Sequence, residues 1–322
     1  MSPAHEQKLF SSLKSAVLLL LVCIGMCFGQ SIWTLNKCSK SPKDCFCSVT
    51  YGKGQFVAVG NNGAILTSTV GTTWATENSG TTDNFRSVTY GNGQFVTVGD
   101  NGTVLISSDG TIWMKIKSGT FNDINSVTYG NGQFVAVGKA GTILTCNNGT
   151  DGLSSVWTLR NSGTTNVLSC VTYGNGQFVA VGYDGTTLTS PDGTTWTLRN
   201  VDTSYLLESV TYGNGQFVTL IYHGHGMILT SLDGMTWTPR SLDRAGLSRG
   251  KTWLYSVAYG DGQFVASGRE GTILTSSDGT TWTSRNSGAI HNLSSVAYGH
   301  NQFVAVGDYG TIVISRAIRN HR

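Results

Sequence analysis

Charged side chains are scarce in this sequence. Asp, Glu, Lys and Arg make up 12% of 322 residues, about half of the roughly 25% usual in globular chains. The formal net charge is +3, which excludes the strong basic field of a nucleic-acid or anionic-membrane binder. Proline occurs only 4 times, so strands can run without the gaps it leaves in a ladder. Beyond Phe28 there is no apolar run of membrane-spanning length and no helical periodicity. What the chain has in quantity is glycine, 42 residues, alongside a hydrophobic content of 39%. That apolar content excludes a disordered polyelectrolyte. Many glycines with few charges imply short strands joined by tight turns.

The N-terminus carries Lys8 and Lys14 ahead of an apolar run from Ala16 to Phe28, then the small Gly29. The run is short for a membrane span, and the positive flank with a small residue at its end predicts a signal peptide over 1–29. Residues 30–322 are then one exported domain. Of seven cysteines, Cys23 and Cys27 leave with the signal, and Cys38, Cys45, Cys47, Cys146 and Cys170 remain. An exported chain can form disulfides. The expected bridges are Cys38 with Cys45 or Cys47, and Cys146 with Cys170, leaving one thiol over. No cysteine spacing matches a zinc site. Asn101, Asn148 and Asn292 open N-glycosylation sequons, so a glycoprotein is expected in a eukaryotic source.

The phrase SVTYGNGQFVAVG recurs along the chain. Its tyrosines are Tyr51, Tyr90, Tyr129, Tyr173, Tyr212, Tyr259 and Tyr298, at intervals of 39, 39, 44, 39, 47 and 39. A period near 40 residues is that of a propeller blade. Each copy reads as four short strands rich in β-branched and aromatic residues. Ser126 to Tyr129, Gln133 to Val137 and Thr142 to Thr145 illustrate the first three, and a fourth opens on Trp, as at Trp196. A Gly-Asn-Gly turn separates the first two strands. The fold class predicted is all-β, a seven-bladed propeller with four-stranded antiparallel blades. The seventh copy ends near Ser315 without a Trp strand, whereas Ser31 to Leu35 contains an orphan one. The N-terminal strand is therefore expected to complete blade seven and hide the edges of an open array.

The hairpins Ser108 to Trp113, Ser190 to Trp196, Ser231 to Trp237 and Ser276 to Trp282 resemble the Asp-box of sialidase-type propellers, shortened by one residue between Asp and Trp. The whole repeat is similar to that of photosystem II assembly-factor propellers. The resemblance implies that the Asp-box is a folding element lying away from any ligand. Turn chemistry gives the same role to Asp109, Asp192, Asp233 and Asp278.

Within the chain, the turns between first and second strands and between third and fourth strands hardly change. The turns between second and third strands vary. A scaffold needs the same turn seven times, while a binding site needs unlike side chains that converge. The candidate ligand-binding residues are therefore Asn62, Asp100, Lys139, Tyr183, Asp184, Tyr222, His223, His225, Arg269, Glu270, Asp308 and Tyr309. Tyrosine faces with planar amide, carboxylate and guanidinium groups suit a sugar or a protein segment. His223 and His225 lack an identifiable third ligand, so no metal and no cofactor are expected. Arg160, Arg199, Arg240 and Arg285 each follow a Trp by three residues on the outer strand. They do not form the convergent arginine set of a sialidase, and no carboxylate pair argues acid and nucleophile roles. The expectation is a secreted, monomeric, non-enzymatic module binding a glycan or an extracellular protein. It makes no nucleic-acid contact and no integral membrane contact after signal cleavage. A sialidase-like enzyme and an assembly factor for an exported complex are the alternatives.

Overall fold

A computed structural model describes residues 32–37, 45–147, 156–201, 203–222, 227–242 and 252–316. The compact body runs from Trp33 to Ser315. The segment expected to be a signal peptide, Cys38, Asn148, His223, His225 and most of the connection after Ser241 lie outside the described residues. No helix among the described residues is long and apolar enough to cross a membrane.

Each repeat folds as its pattern dictates. In blade three the strands are Ile124–Gly130, Gln133–Gly138, Ile143–Asn147 and Thr158–Arg160, ordered from the axis outward. The turn between the first two is Asn131 and Gly132, with φ of 47° and 77°. Two consecutive positive φ values match the twist of a two-residue hairpin and favour Asn-Gly. Seven such four-stranded sheets form. In the seventh, Ile32–Lys37 pairs beside Thr311–Arg316, followed by Gln302–Gly307 and Leu293–Gly299. The N-terminal strand thus closes blade seven, and the buried Trp33 lies 6.5 Å from Phe303, ring centroid to ring centroid.

Burial on both faces of each sheet comes from blade-on-blade packing. The second strand of blade three is buried along its whole length. One apolar cluster joins Val96 and Ile106 of blade two to Phe134, Leu144 and Trp157 of blade three. The Tyr-Gly pair of the repeat has a steric cause. A Cβ on Gly130 would stand 2.2 Å from the Tyr173 ring of the next blade, and one on Gly299 would stand 2.1 Å from Tyr51. Polar bonds also run around the axis. Ser48 Oγ accepts from the Val88 amide, Ser87 from Val127, Ser126 from Val171, Ser209 from Val257, Ser256 from Val296 and Ser295 from Val49. The seventh position of this ring holds Cys170, whose thiol donates to the Val210 carbonyl at 3.7 Å. The expected Cys146–Cys170 bridge is therefore not formed. Cys170 sits on an inner strand facing blade five, while Cys146 pairs opposite Phe134 on the third strand of blade three. No disulfide occurs among the described residues.

The Asp-containing hairpins are turn devices. Asp192 Oδ1 accepts from the amides of Thr194 and Thr195 at 2.8 Å each, and Trp196 Nε1 donates to the Gly193 carbonyl. The repeat's Gln latches the neighbouring blade: Gln133 Nε2 donates to the Asp192 carbonyl at 2.6 Å, and Gln177 to that of Asp233 at 2.7 Å. On the outer edge, Nε of Arg160, Arg240 and Arg285 donates to the hydroxyls of Thr145, Thr230 and Thr275. These arginines brace outer strands onto third strands and do not converge.

Candidate functional site

Every inner strand carries the same irregularity. The register against the second strand shifts around Cys47, Arg86, Asn125, Ser169, Glu208, Tyr255 and Ser294. A one-residue bulge of this kind re-aims a side chain. All seven residues line one cavity of about 570 Å³. Each lies four positions before the repeat's tyrosine, at a place where the surrounding phrase is nearly constant. One repeated backbone device thus presents six residue types to a common space.

A second tier comes from the turns between second and third strands. Lys139, Tyr183, Tyr222 and Asp308 line the same cavity, as do Val167 and Asn292 from the connections between blades. Each of these four is the first residue of its turn or closes the strand before it. The second residue of the turn adopts a left-handed conformation, with φ of 56° at Asn62, 53° at Asp184, 53° at Glu270 and 55° at Tyr309. That conformation turns the side chain outward, and all four are exposed. Of the twelve residues expected from sequence, Lys139, Tyr183, Tyr222 and Asp308 line the cavity. Asn62, Asp100, Asp184, Arg269, Glu270 and Tyr309 are not among its lining residues. His223 and His225 lie outside the described residues. The inner-strand positions are not among the residues expected from sequence, because each lies within a strand and not in a turn. The signal for them was a variable position inside an otherwise repeated strand.

The cavity has two unlike sides. On the side of blades two and three, Arg86 bonds Asp100 at 2.5 Å and Asp123 at 3.3 Å, and Lys139 bonds Asp123 at 2.6 Å. The Lys139 hydrogen bond leads in holding the Asp123 carboxyl below its usual range. The far side is aromatic. Tyr222 packs against Trp253 at 4.7 Å and Tyr255 at 6.1 Å between ring centroids. Burial raises the phenols of Tyr222 and Tyr255. Glu208 stands among these rings, half-buried, and burial alone pushes its carboxyl up to about 7. Between the two sides, Asn292 donates through Nδ2 to Asp308 at 2.8 Å and accepts from the Glu270 amide. The nitrogen that a glycan would take at this sequon is thus engaged inside the protein. The Cys47 thiol, raised to about 11 by burial and then by Cys45, is a poor nucleophile at neutral pH. No group of three metal-ligating side chains occurs among the described residues.

No family model matches the sequence, and no curated protein matches it. Solved structures do share its architecture. YCF48 bound to D1 peptide superposes with a TM-score of 0.70 at 18% identity, over 88% of this chain and 94% of that one. YCF48 from Cyanidioschyzon merolae gives 0.68 at 16% identity, over 88% and 98%. Catalytically inactive virginiamycin B lyase from Staphylococcus aureus, with quinupristin, gives 0.77 at 10% identity, over 90% and 100%. At such identities the likeness is one of fold, and a shared fold does not carry a shared activity.

Proposed function

We propose that the protein is an exported, monomeric, non-enzymatic recognition propeller that holds a segment of a partner molecule in its axial cavity. One observation carries this reading. Seven equivalent bulges, on a scaffold that repeats almost everything else, place Cys47, Arg86, Asn125, Ser169, Glu208, Tyr255 and Ser294 around one space. A volume of about 570 Å³ lies within the range of pockets that enclose a small ligand or a few side chains. The signal peptide over 1–29 would deliver the domain outside the cell, where its partners would be extracellular proteins or glycans. YCF48 has been solved with a peptide, and an extended peptide is the occupant we assign here in preference to a glycan. The enzyme alternative finds little support. Asp308 is tied to Asn292, which leaves Glu208 without a second free carboxylate among the described residues of the cavity wall.

Peptide and glycan arrays probed with residues 30–322 test the reading. Ser169→Trp fills the cavity from a surface position and leaves the inter-blade bonds intact. Array binding by the parent that is lost in this variant is the expected result. Equal binding by both would place the ligand elsewhere. Turnover on a glycosidase panel that disappears with Glu208→Gln would replace recognition with catalysis.

A further inference from the structure

The aromatic side of the cavity has a specific chemistry. Tyr183, Tyr222, Tyr255 and Glu208 come from blades four, five and six and face the same space. Among the described residues, no hydrogen-bond donor and no cation sits on the Glu208 carboxylate. The described cations nearest the cavity are engaged with other carboxylates. Arg86 and Lys139 are held across the cavity by Asp100 and Asp123, and Arg269 bonds Glu270 at 3.2 Å. A half-buried carboxylate with no partner is costly unless something supplies one. Tyrosine faces beside it attract a cation through their ring quadrupoles. Two features of one pocket wall therefore call for the same ligand group. Resting on the peptide-recognition reading above, we propose that this wall is a subsite for the cationic side chain, lysine or arginine, of the bound peptide.

Among the described residues, the ionisable groups that interact with Glu208 are Tyr222 on its own blade, Cys170 on blade four and Tyr255 on blade six, while Tyr183 and Arg269 act on Tyr222. Asp308 of blade seven acts on Tyr255. Apart from Arg269, whose charge is shared with Glu270, none is a cation. Burial pushes the Glu208 carboxyl up to about 7. A cation binds the ionised form and so displaces its proton.

Ligand-observed NMR on the exported domain tests the subsite with the capped peptides acetyl-Gly-Gly-X-Gly-Gly-amide at millimolar concentration. X is lysine, arginine, norleucine or glutamate, and n-butylamine serves as a free amine. Lysine and arginine peptides should bind, and norleucine and glutamate should not. Affinity should rise by about tenfold between about pH 6 and about pH 8, following the ionised fraction of Glu208. Glu208→Gln, a neutral isostere that keeps the fold, should abolish that pH dependence and weaken binding at least about tenfold. Tyr255→Leu should weaken binding while the pH dependence stays. Equal binding of norleucine, or unchanged binding by Glu208→Gln, overturns the subsite. Butylamine binding as tightly as the lysine peptide reassigns the wall to a free amine and overturns it as well. On the arrays, peptides that bind in the cavity yet lack lysine and arginine refute the subsite while leaving recognition standing. The absence of any array ligand refutes both.

Discussion

Glu208 occupies in blade five the bulge that Arg86 occupies in blade two, and the same backbone gives the two opposite fates. Arg86 finds Asp100 and Asp123. Glu208 finds tyrosine rings and is pushed from an ordinary 4.5 to about 7 by burial. This costs stability in a definite pH window. Between about pH 4.5 and about pH 7 the folded protein holds a proton at Glu208 that the unfolded chain has released. Unfolding free energy therefore falls as pH rises through that window. Below it both states are protonated, and above it the full cost is present. Glu208→Gln should leave the melting temperature unchanged near pH 4.5 and raise it by a few degrees above pH 7. After allowing for water in the cavity, the gain is on the order of 2 kcal/mol. Differential scanning calorimetry across pH measures this directly. A variant no more stable than the parent at pH 8 would mean that the carboxylate is solvated or already paired.

The hairpin between third and fourth strands is the clearest case of an element legible in sequence. Ser190 to Trp196 predicts a turn in which Asp accepts amide protons, and the structure has Asp192 accepting from Thr194 and Thr195. The amides of Thr195 and Thr194 lead in holding the Asp192 carboxyl below its usual range. The stabilisation is thus present above the ordinary carboxylate pKa and is lost as acid protonates the group. Asp192→Ala should cost about 1 kcal/mol at neutral pH. Asp192→Asn, which keeps an acceptor without a titration, should lie closer to the parent and lose less stability in acid. Urea unfolding at neutral and acid pH separates the two, and parallel losses for both variants would refute the charge-based account. The inner strand was less legible. Its bulge falls at Cys47, Arg86 and Glu208, whose side chains share no chemistry, so no residue signature marks the distortion. The cysteines misled for a related reason. Cys170 stands where six other blades place a serine that accepts an inter-blade amide. It reads as half of a disulfide when considered as a cysteine, and as a serine substitute when aligned with its own repeats.

Seven copies in one chain determine the ring, but closure depends on a segment that resembles no complete repeat. Ile32–Lys37 pairs with Thr311–Arg316 and inserts Trp33 beside Phe303, Val313 and Val296. Without it, blade seven would end on an unpaired, apolar third strand, the kind of edge that recruits another chain. Losing the buried Trp33 alone should cost about 3–5 kcal/mol. A domain that starts at Asn36 should therefore melt well below the domain that starts at Gln30, and it should also associate as concentration rises. Adding the free peptide of residues 31–37 should restore both the melting temperature and the monomer, because the groove beside Thr311–Arg316 is the same one the strand fills in cis. Scanning calorimetry with sedimentation velocity reads the two effects together. The cavity gives a third reading, since Asn292 and Ser294 of blade seven line it next to Cys47 of blade one. If closure holds those walls in register, ligand affinity should fall in the truncated domain and return with the peptide. Full stability and full affinity without the strand would show that the inter-blade serine bonds and the Tyr-Gly packing close the ring by themselves.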